Sequence, residues 1–318
     1  MKNKFRFLAA TATIALLSSA AHADGEKIAV FTKNLTNPLF AEIRAGADNA
    51  AKQMNATTQH YVPTKPDSIP EQMSAIEDVV VKKPDAIVFI PVDSKAMVAG
   101  VNKINAANIP VVNINDRAAG GKFVSFVGVN DYDLGLETAR FLLKNIGGKG
   151  NVVIIEGVKG ASTNQDRMRG FKKALEENPN VKLLGSQTGN YQRNQALSVM
   201  ENLMQTFPQI DGVLAANDAM ATGVIEALAA ANRKALVIGV NGTGVAEIKE
   251  GKLLATGDYK GFQQGCLGVM AAVRHLRKLP VPEELLFPPI LITQANVQSY
   301  LIPKEQRVCP KWEDVVKK

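Results

Sequence analysis

The sequence predicts an α/β protein built as two doubly wound parallel-sheet lobes joined by a multi-strand hinge. From Lys27 onward, apolar runs rich in Val and Ile alternate with helix-length segments, the order a parallel sheet with crossover helices requires. The runs are continuously apolar rather than alternating, as burial on both faces of a sheet demands. The series also repeats. A shift of 126 lays residues 85–116 over 211–242 without a gap, with Asp85 on Asp211 and Asn115 on Asn241, and a shift of 124 lays Gly46 on Gly170. Two such halves exceed what one hydrophobic core usually supports.

The elements follow in order. KIAVFT is the first strand, and a helix over about Pro38–Met54 starts with Asn37 as cap and Pro38 in the first turn, the positions these residues favour. TTQHYV, a helix over about Ser68–Lys82, DAIVFIP, a helix over about Lys95–Asn108 and PVVNIN complete the first series. Between Arg117 and Gly150 only a link near Val127–Asn130 is read. The second series is NVVIIE, a helix over about Asn164–Glu177, VKLLGSQ, a helix over about Gln192–Thr206, DGVLAAN, a helix over about Asp218–Ala231 and ALVIGVN. LLATGDY, a helix over about Gly261–Lys278 and PPILITQANV remain, too little for a third domain. They are expected to complete both lobes, giving 24–128 with 260–289 as the first lobe and 129–259 with 290–318 as the second. The chain then crosses between lobes near Val127–Asn130, Gly257–Lys260 and Pro288–Leu291, and several crossings make a hinge.

Ahead of the first strand, Lys2, Lys4 and Arg6 precede a short apolar stretch interrupted by Thr and Ser, then Ala21-His22-Ala23. This is the pattern of a secretory signal peptide over residues 1–23, because a membrane span needs about 20 apolar residues. The mature chain is expected to be soluble outside the cytoplasm, in the periplasm of a bacterium. The leader carries three of the cations behind the formal +7, and the rest are scattered singly, so no nucleic-acid partner is implied. Cys266 and Cys309 are the two cysteines; an oxidising compartment is compatible with a disulfide between them and equally with two free thiols.

Ligands of open parallel sheets bind beyond the carboxyl ends of the strands, and the residues there are not random. They comprise Asn37 and Phe40 after the first strand, Asp116 and Arg117 after PVVNIN, Asn164 and Arg167 after NVVIIEG, and Tyr191 after VKLLGSQTGN. Asn217 follows DGVLAA, Asn241 follows ALVIGV and Tyr259 follows LLATGD. Singly, each Asn or Asp is more often a helix cap, and each ring more often core. Jointly, forked donors, amides and a carboxylate beside aromatic rings suit a sugar or polyol, whose hydroxyls both donate and accept and whose C–H faces lie on rings. No G-x-x-x-x-G-K-[ST] loop occurs, Gly242-Thr243-Gly244 lacks the third glycine of a dinucleotide fingerprint, and there is no G-x-S-x-G elbow. His60 and His275 have no ligand spacing around them. No cofactor, metal or catalytic residue is expected.

The segments NLTNPLF, NINDRAAG, NQDRMRGF, GNYQRNQA, AANDAMATG, VIGVNGT and GKLLATGDYKGFQQG together resemble the periplasmic sugar-binding proteins of the ribose-binding-protein type, the type I periplasmic binding proteins of ABC transporters. The resemblance covers nearly the whole mature chain. It implies that Asn37 and Phe40 contact the sugar from the first lobe, that Asp116 and Arg117 grip hydroxyls while partly satisfying each other's charge, and that Arg167, Tyr191 and Asn217 act from the second. Three residues depart from the pattern. Leu39 stands where ribose binders have a second Phe, Asn241 where the family usually has Asp, and Tyr259 where ribose binders have Gln. These changes alter the best-matched hydroxyl pattern and extend the expected ligand to another pentose, a hexose or a sugar alcohol. The partners implied are a membrane permease and a chemoreceptor, with the protein itself a monomer. Two alternatives stay open: the same binding role for a furanose-like signal molecule or a nucleoside, and a secreted carbohydrate-modifying enzyme.

Overall fold

The computed structural model describes residues 25–303 and 306–316; the expected signal peptide lies outside the described residues. In chain order the elements are β1 (Lys27–Phe31), α1 (Pro38–Gln53), β2 (Thr57–Tyr61), α2 (Ile69–Lys82), β3 (Ala86–Phe89), α3 (Val98–Ala106), β4 (Val111–Ile114), β5 (Ser125–Val129) and α4 (Asp131–Asn145). Then come β6 (Gly150–Glu156), α5 (Ser162–Glu176), β7 (Val181–Thr188), α6 (Arg193–Thr206), β8 (Gly212–Ala215), α7 (Asp218–Ala230), β9 (Leu236–Val240), α8 (Val245–Lys249) and β10 (Ala255–Gly257). The chain finishes with α9 (Gly261–Leu276), β11 (Glu284–Phe287), β12 (Leu291–Thr293), a short 3-10 turn at Val297–Tyr300 and α10 (Trp312–Val315).

Two six-stranded sheets result, in the orders β11-β5-β4-β3-β1-β2 and β12-β10-β9-β8-β6-β7. All pairings are parallel except β10 with β12. The inner strands are apolar and buried along their length, AIVF of β3 and GVLA of β8 being fully enclosed, which is what helices on both faces of a parallel sheet produce. The chain passes between sheets after β5, after β10 and between β11 and β12.

The repeat seen in the sequence has a packing cause. α1 lies on α9 in the first lobe and α5 lies on α4 in the second, and each contact has a glycine at its centre. A Cβ on Gly46 would stand 2.0 Å from the Phe262 carbonyl oxygen, and one on Gly170 2.4 Å from that of Tyr132. Backbones this close leave no room for a side chain, so Gly46 and Gly170 correspond in structure as they do in sequence.

Several features differ from expectation. β5 and α4 occupy the stretch read only as a link, and α4 carries its own cap, Asn130, whose side chain accepts from the Tyr132 and Asp133 amides. β11, just before Pro288, is a strand not read from the sequence; Pro288 and Pro289 cannot donate to a ladder, and the chain crosses there as expected, with β11 closing the first sheet and β12 the second. The tail from Arg307 onward was expected in the second lobe, but it lies on the first: Arg307 pairs with Glu42 at 2.9 Å, Cys309 is disulfide-bonded to Cys266 of α9, and Trp312 is buried in the first lobe's core. The chain therefore crosses between lobes a fourth time. The disulfide joins residues 43 apart, and Cys309→Ser should lower unfolding free energy by about 2–4 kcal/mol in non-reducing denaturant titration, with no difference from wild type under reducing conditions.

Candidate functional site

The carboxyl ends of both sheets face one another across a cleft, and the strand-end loops supply its walls. From the first lobe come Lys33, Asn37, Leu39, Phe40, Asn115 and Asp116; from the second come Thr163, Arg167, Tyr191, Asn217 and Asn241. The lobes touch at its rim. The Thr163 amide donates to Asp116 Oδ1 at 3.1 Å, the Arg117 amide to Ser162 Oγ at 2.7 Å and the Ser94 amide to the Gly160 carbonyl at 2.9 Å. Asn241 Nδ2 reaches Asn37 Oδ1 at 3.4 Å. The space enclosed is about 10 Å³, and Lys33, Asp116, Arg167, Asn217 and Asn241 are each no more than 2 % exposed. A small molecule reaches these groups only if the lobes part.

Local backbone geometry aims the side chains. Asn115 and Tyr191 have φ of 66° and 59°, and Asn241 of 135°. Asn tolerates the left-handed region, whereas for Tyr it costs on the order of 1–2 kcal/mol, a strain typical of functional sites. Asn113, buried in β4, shapes the next turn: its Nδ2 donates to the Asp116 carbonyl at 2.7 Å and its Oδ1 accepts from the Ala118 amide at 3.0 Å. Asn37 and Asn217 cap α1 and α7, so capping and a place in the cleft wall coincide in the same residues.

The charges are internally arranged. Lys33 Nζ lies 3.0 Å from Asp116 Oδ2 and 3.5 Å from Asp67 Oδ1. Burial opposes its charge, but the two carboxylates outweigh burial and hold the ammonium above its ordinary pKa. Burial likewise works against the Asp116 carboxylate, but Lys33 and the Thr163 amide hold it below the usual range. Asp67, with fewer partners, is pushed up by burial. Arg167 donates through Nε to Asp131 Oδ1 at 2.8 Å and through Nη1 to the Ala216 carbonyl at 2.7 Å. Tyr191 is pushed up to about 12 by burial, and its hydroxyl lies 3.0 Å from Thr163 Oγ1. Asn115 Nδ2 is buried in the cleft wall with no hydrogen-bond partner among the described residues, a donor whose desolvation costs about 1–3 kcal/mol until something accepts from it.

Asn37, Phe40, Asp116, Arg167, Tyr191, Asn217 and Asn241 are thus brought together. Three expected residues are not in the cleft wall. The Arg117 guanidinium pairs with Glu284 at 2.8 Å and stacks 3.6 Å from the Phe126 ring centre, 44 % exposed. This corrects the expectation that Asp116 and Arg117 satisfy one another: the chain bends just past β4, where Asn115 is left-handed, Lys33 takes the Asp116 carboxylate and Arg117 goes to Glu284. Asn164 accepts from the Gly157 amide at 2.7 Å, holding the loop against which Tyr191 lies; a Cβ on Gly157 would meet that ring at 2.2 Å. Tyr259 is buried behind Arg167, its ring centre 4.6 Å from the guanidinium carbon. Conversely, Lys33, Thr163 and the supporting Asp67 and Asp131 were not singled out, because a lysine after a strand and acids near helix starts ordinarily read as solvated or capping groups.

An open hollow of about 910 Å³ lies at the amino end of the second sheet between Ile146, Asp211, Leu228 and Leu236, away from every strand-end residue discussed. Polar side chains line it too, but Asp211 accepts from the Asn151 amide and Gln209, and Arg233 donates to the Met204 and Phe207 carbonyls; the interlobe cleft, with its converging polar groups from both lobes, is the candidate.

Residues 28–280 match the model of a family described as periplasmic binding protein domain. The ribose import binding protein of Haemophilus influenzae is 31% identical over 276 residues, covering 84% of this chain and 93% of that protein. An ABC transporter periplasmic solute binding protein from Actinobacillus succinogenes, solved with bound D-allose, superposes with a TM-score of 0.81 at 33% identity, covering 86% of this chain and 100% of that one. A solute binding protein from Bacillus halodurans, solved with bound myo-inositol, gives 0.80 at 29% identity, covering 88% and 98%.

Proposed function

Because this chain belongs to the periplasmic binding protein family, we propose that its cleft captures a monosaccharide or sugar alcohol for an ABC import system. The observation that carries the reading is the convergence, from both lobes, of buried hydroxyl-matching groups beside aromatic rings, with the Asn115 amide still lacking an acceptor. The wall holds both charge signs closely paired, which suits a neutral ligand rather than a phosphate or a carboxylate. Asn37, Asp116, Arg167, Asn217 and Asn241 supply donors and acceptors; Phe40 and Tyr191 supply ring faces. Arg117 joins them from the rim, since its exposed pair with Glu284 contributes at most about 1 kcal/mol and is readily exchanged for a ligand hydroxyl.

A ligand that touches both lobes favours their closed arrangement by its differential affinity, and the crossings after β5 and β10 and between β11 and β12 absorb the rotation. The closed form then docks on a membrane permease, with a chemoreceptor as a second partner. The working form is a monomer in the periplasm, delivered there by the leader, and no helix among the described residues is long and apolar enough to cross a membrane. The ligand is released unchanged.

Calorimetric titration against D-ribose, D-allose, D-apiose, xylitol and myo-inositol should show one site per chain for at least one of them. Small-angle scattering should show a smaller radius of gyration with that ligand. No binding across the panel, or binding without compaction, contradicts the reading, and recovery of a chemically altered sugar favours the enzyme alternative.

A further inference from the structure

Arg167 is fixed from behind by two residues that stand on the hinge. Asp131 opens α4 immediately after the β5 crossing, and Tyr259 stands in the crossing from β10 to α9. Asp131 Oδ1 accepts from Arg167 Nε at 2.8 Å, and Asp131 Oδ2 accepts from the Tyr259 hydroxyl at 2.8 Å. The Tyr259 ring lies against the guanidinium, and its hydroxyl is 3.4 Å from the Asn115 carbonyl of the first lobe. With Nη1 held by the Ala216 carbonyl, Nη2 is the guanidinium nitrogen that makes no hydrogen bond to a described residue. Asp131 is not the cap of its own helix, because Asn130 caps α4.

We propose that Asp131 and Tyr259 are positioning residues, which hold Arg167 so that Nη2 is its free donor and tie that grip to two of the hinge crossings. The inference rests on the sugar-binding reading of the cleft. The groups facing Asp131 are Arg167 from α5, Tyr259 from its crossing and, at longer range, Asp116 from the end of β4; Arg117 and Asp166 line the small hollow that Asp131 borders. Burial pushes Asp131 up to about 6, against the pull of Arg167 and the Tyr259 hydroxyl. Asp116 stays charged through that range because Lys33 holds it low. A protonated Asp131 no longer offers Arg167 an anionic acceptor, so affinity should fall as pH is lowered through about 6.

The test compares wild type with Asp131→Ala, Asp131→Asn and Tyr259→Phe by two readouts. The first is the arginine Nε–Hε NMR signal of Arg167, identified by its loss in Arg167→Lys; it needs no ligand and should be protected from exchange in wild type and less protected in Asp131→Ala, which leaves no acceptor at that position. The second is the calorimetric Kd for the tightest sugar or polyol of the panel at pH 7.5 and pH 5. Asp131→Asn should bind at least about 10-fold more weakly at pH 7.5 and lose the pH dependence, with Tyr259→Phe in between. Retention of full protection in Asp131→Ala, or a Kd for Asp131→Asn within about twofold of wild type, overturns the proposal. If the Asp131 variants do not fold, Tyr259→Phe decides it by the same readouts. If wild type binds no member of the panel, the functional reading fails, while the Nε–Hε signal still decides whether Asp131 positions Arg167.

Discussion

Arg167→Ala should raise the Kd for the sugar or polyol by roughly thirty- to several-thousand-fold, the equivalent of about 2–5 kcal/mol for truncating one member of a buried, hydrogen-bonded charge pair at a binding site. Two losses combine. The cleft loses a charged donor on its second-lobe wall, and Asp131 is left buried without its counterion. Arg167→Lys should recover only part of the affinity, because an ammonium does not reproduce the planar fork that engages Asp131 and Ala216 at once. Calorimetry gives the affinities, and far-UV circular dichroism shows whether each variant is folded. Near-wild-type affinity in a folded Arg167→Ala would make Arg167 a structural residue and misplace the second-lobe half of the site.

Lys33→Met keeps the bulk of the side chain and removes its charge. The result should be a loss of about 3–5 kcal/mol of stability at neutral pH, because Asp116 and Asp67 are then two buried carboxylates without a cation between them. The contribution of Asp116 to the pH dependence should change sign. In wild type, Asp116 titrates below its ordinary value of 3.8, so its contribution is present above that value and is lost as pH falls through the lower, folded pKa. In Lys33→Met both carboxylates titrate above 3.8, so protonation on acidification favours the folded variant and its deficit should shrink between about pH 6 and 4. Urea titrations of both proteins across that range check this. Binding should weaken as well, by about tenfold or more, since the cleft loses a donor and its best-ordered carboxylate. A deficit that stays constant with pH would show that Lys33 is not what holds the two acids.

The fold was legible where its cause is local. Continuous Val- and Ile-rich runs marked buried parallel strands, and the internal repeat aligned Gly46 with Gly170, although the close helix contacts they make became visible only in the structure. The tail was not, because its place depends on Cys309 meeting Cys266, and two thiols in a sequence do not state their pairing. The crossing near Pro288–Leu291 was read, but β11 just before it was not, because ELLF is a short run whose pairing with β5 is a matter of tertiary packing. In the site, position at a strand's carboxyl end was a good guide for Asn37, Asp116 and Asn217, whose backbones already turn there. It did not give the placement of Arg117 and Tyr259, for opposite reasons: one side chain lies at the rim on Glu284 and Phe126, and the other is large enough to reach past the cleft to Asp131. Lys33 was hidden by its type, since a lysine becomes a plausible interior residue only once Asp116 and Asp67 are known to surround it.

These observations describe a cleft whose binding groups are already engaged with one another across the lobes, so that a ligand must exchange partners with them rather than fill an open hole. A crystal structure with the tightest-binding sugar or polyol of the panel tests this most directly. The account predicts one molecule held between the lobes, in hydrogen-bond contact with Asn37 and Asp116 on one side and with Arg167 and Asn217 on the other. A molecule bound to residues of a single lobe, or seated in the hollow at the amino end of the second sheet, would contradict it.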